Sequence, residues 1–241
     1  MSWHDGSMAH LYPDAYGIAE INRLTLLLAD AADQTALDTP VPTCPDWTMG
    51  DLVWHLTEVQ DFWIYIISTR PGGPKYYERP KRPSDARLVG NLRNALAGLV
   101  ETLRTASPTD AAWSWAEEQT VAFTLRRQTH EALTHCVDGL LTAGLPLPEV
   151  SPELAADGID EVLAVMWPES PPEQTGTVTL ATTDTNDEWT IRIGDTDARI
   201  AGSALDLNLW LWGRGNTWPL TITGDTSQPD AIRTVLTSHT S

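Results

Sequence analysis

Within six residues the chain carries His130, Glu131 and His135, a cluster of imidazole and carboxylate groups of the kind that holds zinc. Glu131 and His135 are four positions apart, so on a helix their side chains lie one above the other and can chelate one ion. His130 is five positions from His135, about 140° around a helix. It therefore reads as a packing or surface group, or as an acid/base group supporting the pair from behind. A third ligand must come from elsewhere, and of the six histidines His4, His10 and His239 are close to the chain ends, leaving His55. Three protein ligands would leave a fourth position open for water or substrate, the arrangement of a catalytic zinc. The competing reading is a solvated helix face, where Glu-x-x-x-His pairs are common. Against it, the neighbours Ala132, Leu133 and Cys136 are apolar, and a carboxylate drawn into an apolar interior needs a cation. Spacing alone leaves both readings open.

The segments that must position these residues read as helices. Ile18, Ile21, Leu24 and Leu28 fall on one helix face. Thr48 and Asp51 form an N-terminal capping signature, after which Leu52, Leu56, Val59 and Trp63 make the stripe of a second helix, with His55 on its flank. Ser84 is placed to cap a third helix, with Leu88, Leu92, Leu96, Leu99 and Leu103 as its face and Pro108 beyond its end. A fourth runs from about Phe123 to Ala143, with Gly144 as its stop. The proline-rich link PGGPKYYERPKRP between the second and third is long enough for a crossover instead of a tight up-down turn. These four helices predict a bundle over residues 1–150. Trp113 and Trp115 fall in the loop before the fourth helix, either as lid residues or, the favoured reading, as buried packing groups.

Beyond the prolines of 146–152 the pattern changes, and residues 151–241 are expected to form a small α+β domain. A short helix is expected over 158–167. Two strands follow, over 175–183 and 188–194, joined by a turn at 184–187. A Ser203/Asp206 cap then opens a helix, a strand passes through Leu220 and Ile222, and a helix at 231–236 closes the chain. Arg214 ends the helix after Ser203. Two roles are open for it: a cation for a substrate carboxylate, or a complement to the helix dipole.

Composition narrows the function classes. A formal charge of −18 excludes a phosphate-backbone partner, and no apolar run approaches the length of a membrane span. Cys44 and Cys136 form neither a CxxC pair nor a disulfide framework, the usage of a cytoplasmic protein with reduced thiols. Cys44, in PTCPDW, reads as part of a tight turn into the second helix in preference to a reactive thiol. No secretory leader is expected in MSWHDGSMAH, and no structural weight is given to those residues.

Two longer segments carry a resemblance. PVPTCPDWTMGDLVWHLTEVQDFW at 40–63 and RRQTHEALTHCVDG at 126–139 resemble signatures of the mycothiol-dependent maleylpyruvate isomerase family. The likeness continues through ATTDTNDEWTIRIG and LDLNLWLWGRG. It departs from the family pattern at Gln60, Cys136 and Gly139. The resemblance implies an α+β protein of two domains: a DinB-like metal-binding four-helix bundle, then a sterol-carrier-protein-like domain. It puts His55, Glu131 and His135 on the family's zinc ligands and Arg214 on an arginine of its C-terminal motif, a candidate catalytic residue. It further implies Zn2+ and mycothiol, the thiol held as thiolate and added to an electrophilic double bond. Expulsion of the thiol after rotation would give cis-trans isomerisation, and retention would give thiol transfer. The expected partners are thus a low-molecular-weight thiol and a small electrophile, in a monomer or homodimer. A zinc hydrolase and a non-catalytic metal- or ligand-binding protein are the alternatives.

Overall fold

Each of the four expected bundle helices forms, and their order in space follows from which residues meet. The computed structural model describes residues 12–70, 72–168, 174–214 and 219–240; His4 and His10 lie outside them. The chain divides into two compact units, residues 1–148 and 149–241. The first contains α1 (Asp14–Asp33), α2 (Met49–Thr69), α3 (Asp85–Thr105) and α4 (Val121–Ala143), with a small hairpin of β1 (Pro40–Val41) and β2 (Cys44–Thr48) leading into α2. No helix among the described residues is long and apolar enough to cross a membrane.

Leu52, Leu56, Leu88 and Leu92 share one core cluster, and Gly98 lies against Ile64, so α2 and α3 run in parallel. Gly17 lies against Leu125 and Gly139 against Leu28, so α1 and α4 are parallel as well. His55 meets Glu131 and Trp63 meets Phe123, which makes α2 and α4 antiparallel. The bundle is therefore up-down-down-up. Parallel neighbours need a returning connection, and the proline-rich link supplies it by running back along α2. Tyr77 donates to Asp61 at 3.0 Å, Arg79 pairs with Glu58 at 2.9 Å, and Arg82 pairs with Asp51.

Thr48 with Asp51 and Gly144 end their helices as expected, whereas the cap of α4 at Thr120 was not anticipated. The Thr48 hydroxyl accepts from the Asp51 N–H while the Asp51 carboxylate accepts from the Thr48 N–H, a complete capping box. At α4 the Thr120 hydroxyl accepts from Phe123 N–H, and Gly144, at φ 67°, closes the other end as the left-handed residue of a Schellman turn. Ser84 sits at the N-cap of α3 without a side-chain cap bond. The leucine stripe of α3 is buried throughout.

The hydroxyl and backbone N–H of Thr48, then Arg82, hold the Asp51 carboxyl down at about 2. A depressed carboxyl contributes stability that is present above its unfolded value and lost as pH falls through the folded one. Asp51→Ala is thus expected to cost about 1 kcal/mol, the usual worth of a lost cap, at pH above ~4. The gap from the parent protein should close as pH approaches 2. Urea midpoints of the two proteins across that acid range test it.

The second unit has the expected α+β composition. It holds α5 (Pro152–Glu161), β3 (Thr177–Thr182), β4 (Glu188–Arg192), β5 (Ala198–Gly202), α6 (Ala204–Leu211), β6 (Thr221–Gly224) and α7 (Gln228–Thr240). The sheet order is β4-β3-β5-β6, with β3 and β5 parallel and the other pairs antiparallel. Ile159, Val178, Leu180, Ile191, Ile200, Leu207, Trp210 and Ile232 are among its core.

Several elements differ from the sequence expectation. Helix α5 begins six residues before 158, because Ser151 caps it and Pro152 occupies its first turn. It ends in a wider turn, Val162–Met166, closed by Trp167 N–H donating to the Val162 carbonyl at 3.0 Å. Strand β5 was not anticipated: Ala198–Gly202 is short, and its inward Ala198 and Gly202 carry too little apolar mass to show alternation. Cys44 lies on a strand where a tight turn was expected. Trp115 is 50% exposed, correcting its reading as a buried packing group, although its ring lies 5.6 Å from those of Trp63 and Phe123.

Candidate metal centre

The capping box fixes where α2 starts, and so places His55 in the second turn of that helix. Glu131 and His135 stand on adjacent turns of α4. His55 Nε2 lies 3.2 Å from Glu131 Oε1, and His135 Nε2 lies 3.2 Å from the same oxygen. All three candidate ligand atoms fall within 4.8 Å of one another, and among the described residues no fourth side chain joins the group. Tetrahedral ligands at zinc distances are about 3.3–3.5 Å apart, so two imidazole nitrogens and one carboxylate oxygen at this spacing suit that ion. Exposure rises from 8% for the His135 side chain through 18% for Glu131 to 34% for His55, so the trio is reached from the His55 side.

Two of the three ligands are held from behind by charged groups. Asp138, fully buried, bonds His135 Nδ1 through Oδ2 at 2.9 Å and accepts from the Thr43 hydroxyl through Oδ1 at 2.5 Å. This fixes the His135 ring with Nε2 toward the trio, as a carboxylate behind a metal-binding histidine does. Arg127, one turn before Glu131, donates to Oε2 at 3.1 Å. The Trp47 ring stacks along His135 at 6.0 Å and tilts onto His55 at 4.7 Å, walling one side. The hairpin thus contributes Thr43 and Trp47 to a centre otherwise made by α2 and α4.

The charges follow from this packing. Burial opposes ionisation of Glu131, but the bonds from His135 and His55, with Arg127 nearby, hold its carboxyl well below the ordinary range. Burial likewise opposes a charge on His135, yet Asp138 and Glu131 outweigh it and raise that imidazole to about 9. Without a metal, a proton on His135 together with the Arg127 guanidinium balances the two carboxylates, and an incoming cation must displace that proton.

Sequence profiles match both parts of the chain. The profile for the mycothiol maleylpyruvate isomerase N-terminal domain matches residues 18–138, and that for the MDMPI C-terminal domain matches residues 153–231. The chain belongs to the mycothiol maleylpyruvate isomerase family. All three trio residues and Asp138 fall inside the N-terminal match of this family. No curated protein sequence matches the chain. Among solved structures it is similar to the crystal structure of the mycothiol-dependent maleylpyruvate isomerase. The TM-score is 0.71 at 14% identity, over 88% of this chain and 93% of that one. A crystal structure of a histidine-to-alanine mutant of that isomerase gives 0.69 at the same identity and coverage. The family and this likeness account for the two-part α+β architecture.

Of the residues singled out by type, His55, Glu131 and His135 come together. His130 does not join them: it is buried, with its ring edge-on to Tyr12 at 6.4 Å. Arg214 follows Gly213, which is left-handed at φ 75°. Its N–H donates to Leu209 O at 2.8 Å, and its guanidinium donates to Trp212 O at 2.6 Å, so it completes a Schellman turn at the end of α6. The sequence reading missed Arg127, Asp138, Thr43 and Trp47. For the first two the signal was available: Arg127 precedes Glu131 by four positions and Asp138 follows His135 by three, both same-face helical spacings.

Proposed function

We propose that this chain is a zinc-dependent enzyme that uses mycothiol against a small electrophilic substrate, by cis-trans isomerisation of the maleylpyruvate type or by thiol transfer. The observation that carries this reading is the convergence of His55, Glu131 and His135 on one point within a domain of the mycothiol maleylpyruvate isomerase family. When bound, zinc would supply a positive centre at which a thiol gives up its proton at neutral pH. His55 Nε2, Glu131 Oε1 and His135 Nε2 would hold it. Asp138 keeps the His135 tautomer, and Trp47 excludes water from one flank of the two rings. Three protein ligands leave a place for an exogenous sulfur, which a closed four-ligand structural site would not. Arg214 is assigned to orient a carboxylate of the substrate, as a guanidinium fork does.

Cobalt-loaded protein titrated with mycothiol tests the thiol step. A new sulfur-to-cobalt absorption is expected; its absence would move the reading to a hydrolase, in which water occupies the open place, or to a binding protein. Mass spectrometry after incubation with unsaturated acids and mycothiol should then find a trans isomer or a thiol adduct, formed only when mycothiol is present. Arg214→Ala should keep its metal and lose about 1.5–3 kcal/mol in kcat/KM for acidic substrates, the worth of a hydrogen bond to a charge.

A further inference from the structure

Glu131 presents two chemically equivalent oxygens, and the structure treats them differently. Oε1 lies 3.2 Å from both histidine Nε2 atoms, while Oε2 accepts from Arg127 Nη2 at 3.1 Å. Arg127 stands one turn earlier on α4, and its side chain is only 3% exposed. A guanidinium keeps its charge under any ordinary condition, and turning it away from Oε2 would forfeit a hydrogen bond between two charged groups. Carboxylates bind metals through one oxygen or through both. A second oxygen from Glu131 would raise the coordination number by one and crowd the position that an exogenous ligand takes.

We infer that Arg127 is a positioning residue that sets the coordination number: it holds Glu131 to one metal-facing oxygen and so keeps a place free for an exogenous ligand. The inference rests on the reading of the trio as a metal site. Arg127 also offsets the charge of Glu131, so that two neutral imidazoles, the carboxylates of Glu131 and Asp138 and one guanidinium sum to one negative charge. A divalent ion held there leaves one net positive charge, which favours an anionic incoming group over a neutral one.

The test uses cobalt alone, with no thiol or substrate, on the full chain and on Arg127→Met and Arg127→Lys. Four-coordinate cobalt absorbs visible light several-fold more strongly than five- or six-coordinate cobalt. The parent protein is expected to give the intense spectrum, and Arg127→Lys, which still offers a charged donor to Oε2, to keep it. Arg127→Met should bind cobalt with a several-fold weaker band, as the released oxygen joins the metal. Arg127→Met at full occupancy with the parent intensity would overturn the role of Arg127 and leave the metal site standing. A parent protein that takes up no cobalt would overturn both. Should Arg127→Met fail to fold, the infrared difference between zinc-loaded and metal-free parent protein decides the matter. A wide separation of the carboxylate stretches, the mark of one-oxygen binding, is expected, and the narrow separation of two-oxygen binding refutes the inference.

Discussion

Replacing His135 by alanine should abolish zinc binding at micromolar metal and, with it, any thiol-dependent turnover, while α-helical circular dichroism persists at room temperature. The loss of metal follows from geometry: two of three converging atoms remain, and the one removed is the most buried. Loss of a partner behind a metal ligand alone costs about 10- to 100-fold in affinity, so loss of the ligand should exceed the upper figure. A second effect accompanies it. Asp138 has no exposure, and in the variant it keeps Thr43 but loses the imidazole. Loss of that one hydrogen bond to a charge destabilises by about 1.5–3 kcal/mol. His55→Ala is the control, because His55 is a third exposed and is bonded to Glu131, not to Asp138. It should lose zinc as completely with little change in denaturation midpoint. Metal analysis after dialysis and urea unfolding of the metal-free proteins separate the two effects. Equal zinc content in His135→Ala and the parent would remove the centre from consideration.

The second large effect is expected at Asp138. Asp138→Asn retains size but offers one carbonyl oxygen where two carboxylate oxygens now serve His135 Nδ1 and the Thr43 hydroxyl. Zinc affinity should fall about 10- to 100-fold. The β1–β2 hairpin should loosen at the same time, because Thr43 is one of its anchors on α4. Hydrogen exchange of residues 40–48 read beside a zinc titration tests the coupling. Weakened metal binding with unchanged hairpin protection would place Asp138 behind the histidine alone. A metal affinity equal to the parent's would deny it any part in the centre.

These residues show what could be read in the chain and what could not. The bundle helices were legible because leucine periodicity and caps are local: the Leu88–Leu103 stripe, the Thr48/Asp51 box and Gly144 each act within a few residues. Glu131 and His135 were legible for the same reason, and His55 because histidines are scarce. The parallel run of α2 and α3 was only hinted at by the length of the proline-rich link. Its path depends on pairings such as Arg79 with Glu58, which join residues 21 positions apart in sequence. Thr43 was out of reach altogether, since its partner Asp138 is 95 positions away. Strand β5 escaped because a parallel central strand is recognised by its neighbours, and its own alternation rests on Ile200 and two small residues. Trp115 was misjudged because a large aromatic side chain in a loop was read as buried, whereas its ring packs on Trp63 and Phe123 while half of the residue stays exposed.

The up-down-down-up order has a kinetic meaning. Helix α1 has α4 as its parallel neighbour, and about a hundred residues separate them in the chain. Contacts of such long sequence separation carry the greatest closure entropy and form late. The α2–α3 layer can assemble early around its strap, whereas α4 must dock across the whole bundle. His55 is therefore expected to meet Glu131 and His135 late in folding. If that docking completes after the barrier, an ion that bridges α2 to α4 is expected to add little to the speed of folding. Its effect falls on the reverse step, where it acts as a brake on opening and lengthens the life of the native state.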